Sequence, residues 1–150
     1  MELKFKTPNK KTIKIQDMEI KIKPYLTTEE IETILENVLS EQNVLIRQMI
    51  KDILLIEFCT DIDTLKDETG IVINEEVYDL YRLTGLLKKV KDLVSKDDLD
   101  LIDKCIAEEE SINKTIQSFC TDAIKSIEEK GKDVDLEKVI NTLKEMKVNE

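Results

Sequence analysis

Apolar and basic residues alternate along the first 23 positions. Leu3 and Phe5 stand against Lys4 and Lys6, Ile13 and Ile15 against Lys14, and Ile20 and Ile22 against Lys21 and Lys23. Period two with one apolar face predicts half-buried strands. Thr7-Pro8-Asn9-Lys10-Lys11 supplies a turn after the first strand, and Gln16-Asp17 turns the chain into the last. The expected unit is a two- or three-stranded antiparallel meander. A sheet this small is not stable alone in water, so its apolar face must cover a helix or another subunit.

After Pro24 the period changes to that of a helix. Thr27 can cap, Glu30 can bond back to it, and Leu26 can clip onto Ile31. Ile31, Ile34, Leu35, Val38 and Leu39 form one stripe, and a break is expected near Gln42-Asn43. The next helix carries Val44, Leu45, Ile50, Ile53, Leu54, Ile56, Phe58 and Cys59, apolar on more than one face, as a central core helix would be. Asp61 to Ile73 reads as a loop or edge segment ending in the β-like run Ile71-Val72-Ile73. Asn74, followed by Glu75 and Glu76, opens another helix with Val77, Tyr78, Leu80 and Tyr81 on its apolar side. Thr84-Gly85 kinks or splits that helix before Leu86, Leu87, Val90, Leu93 and Val94.

From Ser95 to Gly131 apolar residues recur by threes and fours, including Leu99, Ile102, Cys105, Ile106, Ile112, Ile116, Phe119, Cys120, Ala123, Ile124 and Ile127. A helix of about 30 residues spans roughly 45 Å, beyond the ~30 Å of a small domain. Part of the stripe is therefore expected to meet another chain or the last helix, Leu136 to Met146, whose apolar positions are Val139, Ile140, Leu143 and Met146. The fold class is mainly α (α+β): an N-terminal β meander, then a helical bundle with one long C-terminal helix. At 150 residues a single domain is expected, with a β head over 1–23, a helical core over 27–94, and the long and final helices over 96–147.

Charge divides this picture. Residues 1–23 hold seven Lys against Glu2, Asp17 and Glu19, a local +4, leaving −14 for the rest of a chain whose net charge is −10. An acidic body repels nucleic acid and anionic lipid, which bind through Lys and Arg. Arg47 and Arg82 are the only arginines. No apolar run reaches 18 residues and MELKFKTPNKK has no apolar signal region, so neither a membrane span nor a signal peptide is expected, and the location expected is the cytoplasm. Cys59, Cys105 and Cys120 lie in apolar helical patterns without a CxxC, which reads as buried, reduced thiols.

Chemistry is harder to find. The chain has no His, the usual base near neutral pH, so no catalytic residue is assigned and no enzyme activity is expected. Asp61, Asp63, Asp67 and Gly70 miss the calcium-loop spacing, since Leu65 and Lys66 stand where a ligand and a glycine are needed. Three glycines form no phosphate-binding loop, and neither a metal nor another cofactor is expected. What remains are surfaces. Tyr25, Ile31, Leu35, Ile112, Ile116, Phe119 and Ile127 are candidate protein contacts on helix stripes. Asp97, Asp98, Glu108 and Glu109 form an alternative acidic face that would occupy a basic groove by imitating nucleic acid.

The order of elements adds a resemblance. A Lys-rich hairpin leads into Lys23-Pro24-Tyr25-Leu26-Thr27-Thr28-Glu29-Glu30 and a core helix, then Asn74-Glu75-Glu76-Val77-Tyr78-Asp79-Leu80-Tyr81 and Leu86-Leu87-Lys88-Lys89-Val90. Over roughly residues 12 to 106 this resembles small morphogenesis proteins of tailed phages of low-GC Gram-positive bacteria, notably tail assembly chaperones. The resemblance implies a non-enzymatic virion-assembly or structural protein that coats or caps a phage structural protein through apolar helix faces, in the host cytoplasm or within the virion; association between copies of the chain is expected from the length of the long helix. The long helix after Asp98 falls outside that pattern. The alternative function is an acidic inhibitor of a host enzyme, acting in counter-defence.

Overall fold

In the computed structural model, residues 6–62, 66–67, 70–71, 73–130 and 136–148 are described. The chain is mostly helical, opening with a two-stranded antiparallel sheet. Strands β1 (Lys11–Ile15) and β2 (Met18–Ile22) pair with Ile13 opposite Ile20 and Ile15 opposite Met18, across a two-residue turn in which Gln16 takes a left-handed φ of 53°. Ile15, Ile20 and Ile22 are buried while Lys14, Glu19 and Lys21 face out, as the alternation requires. The strand expected around Leu3 and Phe5 lies outside the described residues.

Helix α1 (Thr28–Leu39) begins with the full capping box: the Glu30 amide donates to Thr27 Oγ1 at 3.3 Å and the Thr27 amide donates to Glu30 Oε2 at 2.8 Å. Leu26 and Ile31, the expected staple, are both buried in one core cluster. Asn43 caps α2 (Val44–Cys59), accepting from the Leu45 and Ile46 amides. That helix buries Ile53, Leu55 and Ile56 from one turn, which requires partners on several sides, so α1, α3 and α4 pack around it. The expected loop or edge segment contains a minimal antiparallel pair, β3 (Lys66–Asp67) with β4 (Gly70–Ile71).

Asn74 caps α3 (Glu75–Leu83), its Oδ1 accepting from the Glu76 amide at 2.7 Å. The chain then splits rather than kinks. Gly85 takes φ +79° and starts α4 (Leu86–Leu93), which buries Leu86, Leu87 and Val90. Ser95 Oγ accepts from the Asp98 amide at 3.4 Å at the start of α5 (Lys96–Lys130), and α6 (Leu136–Val148) follows.

Contacts gather into two compact units, Met1–Ile106 and Ala107–Glu150. The core of the first unit runs from the hairpin to Ile102, with Ile106 packed against it. In the second, Ile112, Ile116, Phe119, Ile127, Leu143 and Met146 are half-buried, and Ile124 and Ile140 are exposed. Ile140 was expected on a buried stripe, and the side chain of Val139 lies outside those described.

Candidate interaction surface

The surface is organised by Asp52, which is 1% exposed and the only charged or polar residue in the core among the described residues. Its place in α2 puts it between α3 and α4. Tyr78 Oη donates to Asp52 Oδ2 at 3.0 Å, as does Gln48 Nε2, also at 3.0 Å. The Lys91 ammonium lies 2.9 Å from Oδ1, as an ion pair without hydrogen-bond alignment. A buried carboxylate without such partners would be strongly disfavoured, so the network fixes how α3 and α4 dock on α2. Burial first, and then the Asp52 charge, raises the Tyr78 pKa above its ordinary value, so the phenol stays protonated to donate.

Docked in this way, α3 turns Tyr81 inward and leaves leucines outside. Tyr81 is buried, which raises its pKa with a smaller push from Glu57. Leu80 is 58% and Leu83 78% exposed, and on α2 Val44 is 77% and Leu45 64% exposed. On one side of α3 is an apolar groove of about 360 Å³ between the helix and the hairpin, lined by Ile15, Met18, Ile20, Val77, Leu80 and Tyr81 among others. On the other is a pocket of about 250 Å³ formed by Leu45, Met49, Glu75, Tyr78, Asp79 and Arg82, in which Arg82 pairs with Asp79 at 3.1 Å. The helix is thus a ridge between two depressions. Met18 and Leu80 line the first and are themselves exposed.

The residues expected to form contact surfaces are distributed differently. Ile31 is buried and Leu35 packs against the same core, because the α1 stripe faces α2 and is used within the chain. Tyr25 is half-buried; the Lys23 ammonium sits 5.1 Å from its ring centre and pairs with both Glu30 oxygens at 2.6 and 2.7 Å. Ile112, Ile116, Phe119 and Ile127 remain partly open in the second unit. Asp97 is exposed, but Asp98 Oδ2 accepts from the Leu26 amide at 2.9 Å and is half-buried, so it serves the fold. Glu108 is exposed and Glu109 half-buried, both in the second unit. Cys59 is fully buried as expected, whereas Cys105 and Cys120 are only half-buried. Burial pushes the Cys59 thiol up to about 12, against the smaller opposing pull of Lys23.

Leu80, Val44 and Leu45 count among the apolar positions of their helices in the sequence, which hides their exposure, and Leu83 belongs to none of the stripes read there. The helical period carries the missing signal: Val77 and Tyr81 lie on one line of α3, while Leu83 falls well round from it. Among the described residues no group of three His, Cys, Asp or Glu is placed to hold a metal ion, and no helix is long and apolar enough to cross a membrane. Comparison with protein-family models, curated proteins and solved structures finds no match to this chain.

Proposed function

We propose that this chain is a non-enzymatic binding protein whose working surface is the ridge of α3 with the grooves beside it. In the terms of its resemblance, it is a tail assembly chaperone-like protein that holds a phage structural protein during virion assembly in the host cytoplasm. The observation that carries the reading is the exposure of Leu80 and Leu83 on a helix fastened to buried Asp52 by the Tyr78 hydroxyl. Burying a leucine fully is worth about 1.5–3 kcal/mol, so two of them with a groove beside them offer affinity to an apolar partner. The absence of His supports a role without catalysis.

The half-buried stripe of Ile112, Ile116, Phe119 and Ile127 is the surface we assign to association between copies of the chain. The acidic-inhibitor reading has less support, since Asp98 is engaged by the Leu26 amide and Asp103 by Lys51 at 3.0 Å. Co-expression with tail structural proteins of tailed phages tests the proposal. Capture of one of them by the wild type, and its loss with Leu80→Asp plus Leu83→Asp in a variant of unchanged circular dichroism, is the expected result. A folded double variant that still captures the same protein refutes it.

A further inference from the structure

The carboxylates around the α3 ridge restrict which apolar segments suit it. Glu75 and Asp79 edge the pocket on one side, and Glu76 lies one helical turn from Leu80, so three acids frame the exposed leucines. Arg82 is the only basic residue of α3, and it is already paired with Asp79 at 3.1 Å. An incoming segment with carboxylates beside its apolar side chains would set like charges against this frame, whereas lysines or arginines would meet opposite charge. The apolar groove of about 360 Å³ has room for several side chains, and Met18 at its edge has the pliable thioether suited to a surface that adapts to its ligand.

We infer that the α3 ridge takes an amphipathic partner helix whose apolar face is flanked by lysine or arginine: the apolar side chains enter the groove lined by Met18, Leu80 and Tyr81, and the cations meet Glu75 and Glu76. This rests on the proposed function and names the chemistry of the partner at the same surface. Glu75 and Glu76 also favour the start of α3 through the helix dipole, a role that predicts a small stability change on neutralisation and no peptide selectivity.

The test uses the full chain and three labelled helical peptides with one leucine face, their other positions being Lys, Gln or Glu. Fluorescence anisotropy should give the Lys peptide at least about 10-fold tighter binding than the Glu peptide, with the Gln peptide between them. Glu75→Gln plus Glu76→Gln should weaken the Lys peptide about 3- to 10-fold, two surface charge contacts being removed. Glu32→Gln plus Glu36→Gln on α1 makes the same change of net charge outside the groove linings and should alter binding less than about 2-fold. Leu83→Asp should abolish binding of all three. Equal weakening by the two glutamate pairs means attraction by net charge and overturns the inference, as does equal affinity for the three peptides. Failure to bind any peptide, with light scattering showing a dimer that Leu83→Asp dissolves, assigns the ridge to a second copy and also overturns it. Indifference to peptide charge leaves the proposed function standing, whereas partner capture that survives Leu80→Asp plus Leu83→Asp removes that reading first.

Discussion

Replacing Asp52 by Ala removes the one buried charge of the described core and tests whether the surface depends on it. The variant strips an acceptor from Tyr78 and Gln48, each at 3.0 Å, and the counter-ion from Lys91 at 2.9 Å. Breaking one side of a buried pair costs about 3–5 kcal/mol. Lys91 is 36% exposed and can return to water, so we expect a smaller loss than that, about 2–3 kcal/mol. For a chain of this size that corresponds to a fall in Tm of about 4–12 °C. Lys91→Met should cost at least as much, because it leaves the Asp52 carboxylate, 1% exposed, without its cation. The double variant Asp52→Leu plus Lys91→Met should recover much of the loss, with a coupling of about 1–3 kcal/mol. Urea unfolding followed by tyrosine fluorescence is the assay. All three tyrosines, Tyr25, Tyr78 and Tyr81, lie in the first unit, so the signal reports the part of the chain that holds Asp52. Single variants within about 0.5 kcal/mol of wild type, or no coupling between the two positions, would refute the reasoning.

Four further outcomes follow from the geometry. With its thiol pushed by burial from its ordinary value up to about 12, Cys59 keeps its proton in the folded chain at pH values where the unfolded chain has lost it. The unfolded state then binds fewer protons, so urea stability should fall as pH rises above about 9, by up to about 1.4 kcal/mol per pH unit from this thiol, and Cys59→Ala should flatten the slope. Native thiol titration should label Cys105 and Cys120 quickly and Cys59 only after unfolding, since Cys59 alone of the three is fully buried. Thr27→Ala, which takes away the hydroxyl that accepts from the Glu30 amide, should lower stability by about 1 kcal/mol in urea titration. Gly85→Ala should cost about 1–2 kcal/mol from φ +79° alone, as the new Cβ meets nothing within 4 Å, and Gly85→Asn should cost less.

Much of the architecture was legible because its signals are local. The alternation of Ile13, Ile15, Ile20 and Ile22 with lysine is enough for the hairpin, and the Thr27, Asn43, Asn74 and Ser95 side chains mark helix starts whatever lies around them. The surface was less legible because exposure depends on which stripe of a helix finds a partner. Ile31 and Leu83 are both apolar helical residues, yet one is buried against α2 and the other is 78% exposed. Asp52 was readable in principle: an acid followed by Ile53-Leu54-Leu55-Ile56 and preceded one turn back by Met49 sits on a helix with apolar residues on more than one face, so it falls at the core. Its partners were not, since Tyr78 and Lys91 are brought to it only by folding.

The segment Pro24–Leu26 is held from far along the chain. The Ser95 amide donates to the Pro24 carbonyl at 2.9 Å, and Asp98 Oδ2 accepts from the Leu26 amide across 72 positions of sequence. During synthesis at about 5–20 residues per second, the approach to α1 therefore waits about 4–14 seconds for its anchor to be made. Until α2 and the helices after it are made, the apolar face of the hairpin and the α1 stripe are both without their final cover. A ribosome that pauses between Leu26 and Asp98 lengthens the exposure of those faces to the crowded cell, and silent codon changes there would alter yield without altering the protein.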